Sequence, residues 1–233
     1  MFFTSCNGQS NKISKTDTNK NNRMENFELS PETANPQAKK LLTEDFYWSP
    51  NDEAGPFGND DGSDAFHGFR HWRLTNEIES PVIFLNDLIE SWDYPKFDLN
   101  ELDETKISEY ISAKNEVDTS AINDQMPALM EQIKKMAKDA GKEFDENQLK
   151  EILSTVDKNM GGTYLLGIDN AIIAIGFGQF VLVGKIDEDI KILTKIAIKR
   201  ELLPILINNW GEYKKTRTEQ LNKMLKIVDK MNK

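Results

Sequence analysis

Cys6 is the only cysteine in the chain, so no intramolecular disulfide braces the fold. Histidine is almost as rare: His67 and His71 stand alone, and two imidazoles hold a metal only with carboxylate help. Nucleophile motifs are missing, since neither a Gly-x-Ser-x-Gly elbow nor a Ser-x-x-Lys pair occurs. Gly176-Phe177-Gly178 lacks the third glycine and the basic residue of a phosphate loop. Asp157-Lys158-Asn159 opens like a calcium loop, but its twelfth position is Ile168 where a bidentate Glu is needed. The longest apolar run, Ala171 to Val183, is interrupted by Gln179 and falls short of the roughly 20 residues that span a bilayer. These absences leave an enzyme without support and argue against a membrane-spanning design, and the reading expects no cofactor.

Positive charge is scarce in one region. From Glu44 to Glu104 there are 16 acidic residues against only Arg70, Arg73 and Lys96. From Lys185 to Lys233 the balance reverses, with 12 basic and 7 acidic residues, inside a formal net charge of −10. The acidic stretch repels a phosphate backbone and the basic excess is thin, which argues against nucleic-acid binding. Acidity of this kind maintains solubility, and it admits a basic protein partner.

Residues 1–35 are rich in Asn, Lys, Ser and Thr and poor in apolar side chains. Such a segment buries too little surface to offset its ordering entropy, so it reads as a disordered tether. Phe2-Phe3-Thr4-Ser5-Cys6 places an apolar pair and two small residues before the cysteine. That resembles the end of a bacterial lipoprotein signal, with Cys6 as the lipid-bearing residue and the polar run behind it as a leash. The basic segment and apolar stretch that such a leader needs do not follow Met1, so either they lie upstream or the resemblance is accidental. The reading expects a periplasmic or cell-surface protein whose membrane contact is a lipid anchor. A free thiol on a flexible arm of a cytoplasmic protein is the alternative.

Residues 36–233 read as one compact all-α domain, with 98–162 a helical insertion or peripheral layer. Ser80-Pro81 is a clear helix start, with Ser as cap and Pro in the first turn. Val82, Leu85, Ile89 and Trp92 then recur at the helical period. Further helices are expected over 36–46, 64–74, 107–111, 126–140 and 146–156, the last closed by Gly161-Gly162. Residues 163–186 fit a buried central helix or a strand pair. Asp169 as a cap before an apolar run favours the helix. A helix over 190–207 kinked at Pro204, with Ile192, Ile196, Leu203 and Ile207 near one stripe, and an amphipathic helix over 213–231 complete the domain.

Gly55-Pro56-Phe57-Gly58-Asn59-Asp60-Asp61, followed by Asp64-Ala65-Phe66, resembles the opening signature of an uncharacterised bacterial helical family, domain of unknown function 4259. Tyr164-Leu165 with the run from Asp169 to Lys185 resembles that family's central helix, and Glu201 to Trp210 onward to Met231 resembles its closing helix pair. The likeness covers the ends of the folded part and not residues 98–162. It implies a compact helical domain and no established activity.

Three functions follow as expectations. The first is an envelope-tethered protein-interaction module, with Asp60, Asp61, Asp64, Arg70 and Trp72 as its binding surface. An immunity protein neutralising a toxin is its special case. The second is a metal-dependent hydrolase, since His67 and His71 share a helix face and could recruit Asp60, Asp61 or Asp64. The third is a purely structural envelope protein. The aromatics Trp48, Phe57, Phe66, Phe69, Trp72 and Trp92 are assigned to the core rather than to a binding patch, because aromatics stabilise chiefly by burial.

Overall fold

The computed structural model describes residues 27–113, 120–139, 141, 145 and 160–232. Cys6 and the expected helix over 146–156 lie outside these. Among the described residues the fold is all-α, with no strand. Helices α1 (Pro36–Leu41), α2 (Asp60–Thr75), α3 (Pro81–Ser91), α4 (Glu104–Ser112) and α5 (Ser120–Asp139) precede α6 (Gly161–Val183). After it come α7 (Glu188–Glu201), the short α8 (Pro204–Ile207) and α9 (Lys214–Val228). Single 3-10 segments cover Asp45–Tyr47 and Asn208–Tyr213.

Helix α6 organises the rest. Its 23 residues are apolar on every side, from Leu165 through Ile168, Ile172, Ile175 and Phe177 to Leu182, all buried. A helix that is apolar all round must be sheathed by protein or by lipid. By length and composition α6 could cross a bilayer, which the single run from Ala171 to Val183 did not suggest. Here its most apolar window is 89% buried within the fold, so protein is the sheath. Helices α1, α2, α3, α4 and α7 all pack against it, and α9 packs on α7.

The crossing of α6 and α7 depends on Gly176. A Cβ there would lie 2.1 Å from Thr194 Oγ1, and Thr194 is held in place by donating to the Ile190 carbonyl at 2.7 Å. Gly176→Ala is therefore expected to cost about 1–3 kcal/mol through overpacking, read as a lower urea midpoint at unchanged slope. Wild-type stability in the Ala variant would contradict this close approach.

Several boundaries differ from the sequence reading. The fold begins before residue 36: Phe27 and Ala34 are buried, and Asn35 N donates to Val181 O at 2.8 Å. Asn59 caps α2 by accepting from Gly62 N at 2.7 Å, so that helix starts at Asp60 and not Asp64. Gly161 and Gly162 open α6 rather than closing a preceding helix. Asp169 lies in the middle of α6 and caps nothing. Pro204 does not kink a continuous helix: α7 stops at Glu201 and Pro204 begins α8. The buried stripe of α7 is Ile190, Leu193, Ala197 and Ile198, while Ile192 faces solvent. Helix α4 is no mere outer layer, because Ile107 is fully buried beside Leu165 and Leu206.

The aromatic assignment is visible in the core. Trp48, Phe57, Phe66 and Phe69 are buried, and Trp72 and Trp92 pack half-buried against them. Trp48 Nε1 donates to the Leu42 carbonyl at 2.9 Å, which satisfies its one donor.

Candidate functional site

Two constellations stand out, one buried and one exposed. The buried one is an ionic network at the C-terminal end of α7. Arg200 and Glu201 follow directly on the apolar stripe of that helix, so both turn inward. Arg200 Nε donates to the two carboxylate oxygens of Asp169 at 3.2 and 3.1 Å, and its Nη2 also reaches Asp169. Its Nη1 donates to the carbonyls of Leu99 at 3.0 Å and Glu101 at 2.8 Å, with Phe97 5.0 Å beneath the guanidinium. These bonds tie the segment before α4 to the middle of α6.

Arg217 on α9 repeats the arrangement. It donates to Glu201 Oε2 from Nε at 3.0 Å and from Nη2 at 2.7 Å. Further bonds reach the Ala54 carbonyl at 2.8 Å and Asn170 Oδ1 at 3.2 Å, and the guanidinium lies 4.8 Å over Trp210. Gln220 Nε2 adds a bond to Asp52 Oδ2 at 2.9 Å. Two acceptors are left over: Glu201 Oε1 and Gln220 Oε1 are buried without a hydrogen-bond partner among the described residues.

Burial raises the Asp169 carboxyl to about 7, because loss of solvent outweighs the opposing pull of Arg200. A carboxyl raised in the folded state contributes its full stability below the ordinary carboxylate range. That contribution falls as pH climbs toward 7. Measured by urea unfolding from pH 4 to pH 8, wild type is expected to lose stability relative to Asp169→Asn over that interval. The opposite trend would show that Arg200 dominates.

The exposed constellation follows from α2. Asp60, Asp64, His67, His71 and Thr75 all face solvent, and their spacing places them along one side of the helix. The expected binding surface narrows. Asp61 is half-buried over Gly167 of α6, and its carboxyl is raised by burial first and then by Asp60 and Asp64. Arg70 turns inward to the Phe27 carbonyl, and Trp72 packs on Phe69 and Phe84. Only Asp60 and Asp64 of the five remain fully outward.

At the other end of α2 the chain makes a sharp, well-held loop. Buried Arg73 sends Nη1 to the carbonyls of Asn76 at 2.9 Å, Glu77 at 3.1 Å and Glu79 at 2.8 Å. Its guanidinium lies 5.1 Å from the rings of both Phe69 and Trp72. The two hydrogens of Nη1 are shared among these three carbonyls, in charged hydrogen bonds that tie the loop to the end of α2, while Nε and Nη2 are buried without a hydrogen-bond partner among the described residues. At its tip Ile78 is 97% exposed between Glu77 and Glu79. Asp187 and Asp189 lie close enough to act electrostatically on Arg73, and Asp189 accepts from Ser80 Oγ. An aliphatic side chain thus stands alone in an acidic surround. The sequence reading missed it, because one Ile between two helices carries no periodicity.

The histidine pair is formed, with ring centroids 4.6 Å apart. Among the described residues no group of three His, Cys, Asp or Glu is placed to hold a metal, so no third ligand joins His67 and His71. Comparison with family models, with curated proteins and with solved structures finds no match for the chain.

Proposed function

We propose that this chain is a protein-binding module that takes a basic partner, with Ile78 as the apolar anchor and the acidic side chains around it and along α2 as the steering charge. The observation that carries this reading is Ile78 itself. Fully burying such a side chain is worth roughly 1.5–3 kcal/mol, and the fold leaves that gain unused while spending Arg73 to hold the loop still. A rigid anchor loses little entropy on binding. The acidic rim of Glu77, Glu79, Asp187 and Asp189 selects a positively charged surface and speeds encounter.

The sequence adds a place for this activity. Thr4-Ser5-Cys6 and the polar residues behind it suit a lipid tether, so the module would face the periplasm or cell exterior. Neutralisation of a basic toxin is the special case that best fits a small acidic domain on a leash. The resemblance of Gly55 to Phe66 to the opening signature of the domain of unknown function 4259 adds no activity to this reading. Affinity capture of the full-length protein from its own cells tests the reading. One stoichiometric basic protein is expected, weakened by high salt and by the pair Asp60→Lys and Asp64→Lys. A catch indifferent to both salt and charge reversal would contradict it.

A further inference from the structure

We infer that a cleft at the opposite end of α7 from the Ile78 loop binds a neutral oligosaccharide, independently of the partner surface proposed above. The cleft is about 730 Å³ and opens where the 49–54 loop, the start of α6 and the 209–216 segment converge. Small-ligand sites span roughly 300–1,000 Å³. The ionic network braces both walls. Arg217 donates to the Ala54 carbonyl on the loop side and lies 4.8 Å over the ring of Trp210 on the other. Trp210 and Tyr213 both line the cleft, and Tyr213 is 63% exposed. Between them Gly211 sits at φ 52° and ψ −122°, a conformation that residues with side chains resist. A Cβ on Gly211 would meet nothing within 4 Å, so this glycine serves the path of the backbone and not close packing. That path brings two aromatic side chains to one cleft.

The lining narrows the occupant. Among the described residues it contains no Lys or Arg, which disfavours an anionic ligand. Its apolar part beyond the two rings is only Leu166 and Ala54, too little for an acyl chain or an apolar helix. A cation is already in place, because Arg217 faces Trp210 and pairs with Glu201. What remains is a bank of polar groups beside aromatic rings. Asn51, Asn209 and Thr216 offer amides and a hydroxyl. Asp52 is held in orientation, with Oδ1 accepting from Ala54 N at 3.1 Å and Oδ2 from Gln220 Nε2 at 2.9 Å. Glu53 stands exposed beside it as a further acceptor. A sugar is complementary on both counts. Its hydroxyls donate and accept without charge, and its ring C–H groups pack on the electron-rich faces of aromatic side chains. Two rings suit an oligomer better than a single sugar unit.

An array of immobilised hexose and N-acetylhexosamine oligomers, neutral and charged, screens the full chain, and calorimetry with the free trisaccharide of the retained linkage follows. One neutral trisaccharide is expected to bind per chain, about tenfold or more tighter than its monosaccharide, because only the oligomer covers both rings. Tyr213→Ala is expected to lower that affinity about tenfold, while Tyr213→Phe, which keeps the ring, stays within about threefold of wild type. The Tyr213 side chain is mostly exposed, so the urea midpoint of the Ala variant should not move and a folding defect does not confuse the result. Sedimentation with purified cell-wall polysaccharide separates two sources of the same chemistry. Retention much tighter than the free trisaccharide assigns a wall polymer, and comparable affinity assigns a diffusible sugar. No retention of any neutral oligomer, a preference for charged ones, or binding indifferent to Tyr213→Ala would overturn the proposal.

Discussion

Arg217→Ala is expected to destabilise the protein by about 3–5 kcal/mol, the scale for breaking a buried pair by removing one partner. The side chain supplies both donors to Glu201 Oε2 and also serves Ala54 and Asn170. Its loss leaves a carboxylate that is 1% exposed with neither oxygen paired. The cost arises from that stranded charge more than from the loss of an attractive contact. Replacing both partners, Arg217→Met with Glu201→Met, should therefore recover a large part of the deficit, since well-packed apolar substitutes for buried pairs are often neutral. Recovery will be incomplete, because the Ala54 carbonyl still loses its donor. Urea unfolding of the two single variants and the double variant gives the coupling directly. Additive losses would mean that the pair is not coupled as its geometry implies.

The second large effect concerns binding. Ile78→Asp is expected to weaken association with the partner roughly 30-fold or more, about 2 kcal/mol or above, as for a buried anchor at an interface centre. Folding should be untouched within about 0.5 kcal/mol, because a side chain 97% exposed contributes nothing to the core. Stability and affinity must therefore separate in this variant. Removing Asp60 and Asp64 should act differently, slowing association and reducing salt dependence while leaving dissociation nearly unchanged. An Ile78→Asp protein that binds normally would move the interface elsewhere.

The helical architecture was legible because its signals are local and repeated. Ser80-Pro81 announces α3, and the run from Ala171 to Val183, apolar but for Gln179, suits a buried helix once strand pairing is set aside. Other signals were read the wrong way round. Gly161-Gly162 looked like a helix stop, yet a Cβ on Gly161 would stand 2.6 Å from the Tyr110 carbonyl. That glycine therefore serves the approach of α4 to α6, a contact between Gly161 and Tyr110, 51 positions apart in sequence, that no local pattern reports. Asp169 looked like a cap because an acid beside an apolar run usually is one. Its partner, Arg200, lies 31 residues away in sequence.

The ionic network did leave one trace. Ile190, Leu193, Ala197 and Glu201 lie on a continuous helical stripe, so a charge at position 201 falls where an apolar residue belongs. A charge on the buried face of an otherwise regular helix needs a partner, and that rule would have pointed to Arg200 and Glu201 before any coordinates. Ile78 left no such trace. Its significance comes from Arg73, which sequence reading counts only as one of the few basic residues in an acidic stretch.

The most direct test of the account is site-specific photo-crosslinking in the protein's own cells. Benzoylphenylalanine would replace Ile78 in one strain and the exposed Lys215 at the start of α9 in another. The account predicts a single light-dependent adduct from position 78 to a basic protein and none from position 215. No adduct from position 78, or the same adducts from both positions, would contradict it.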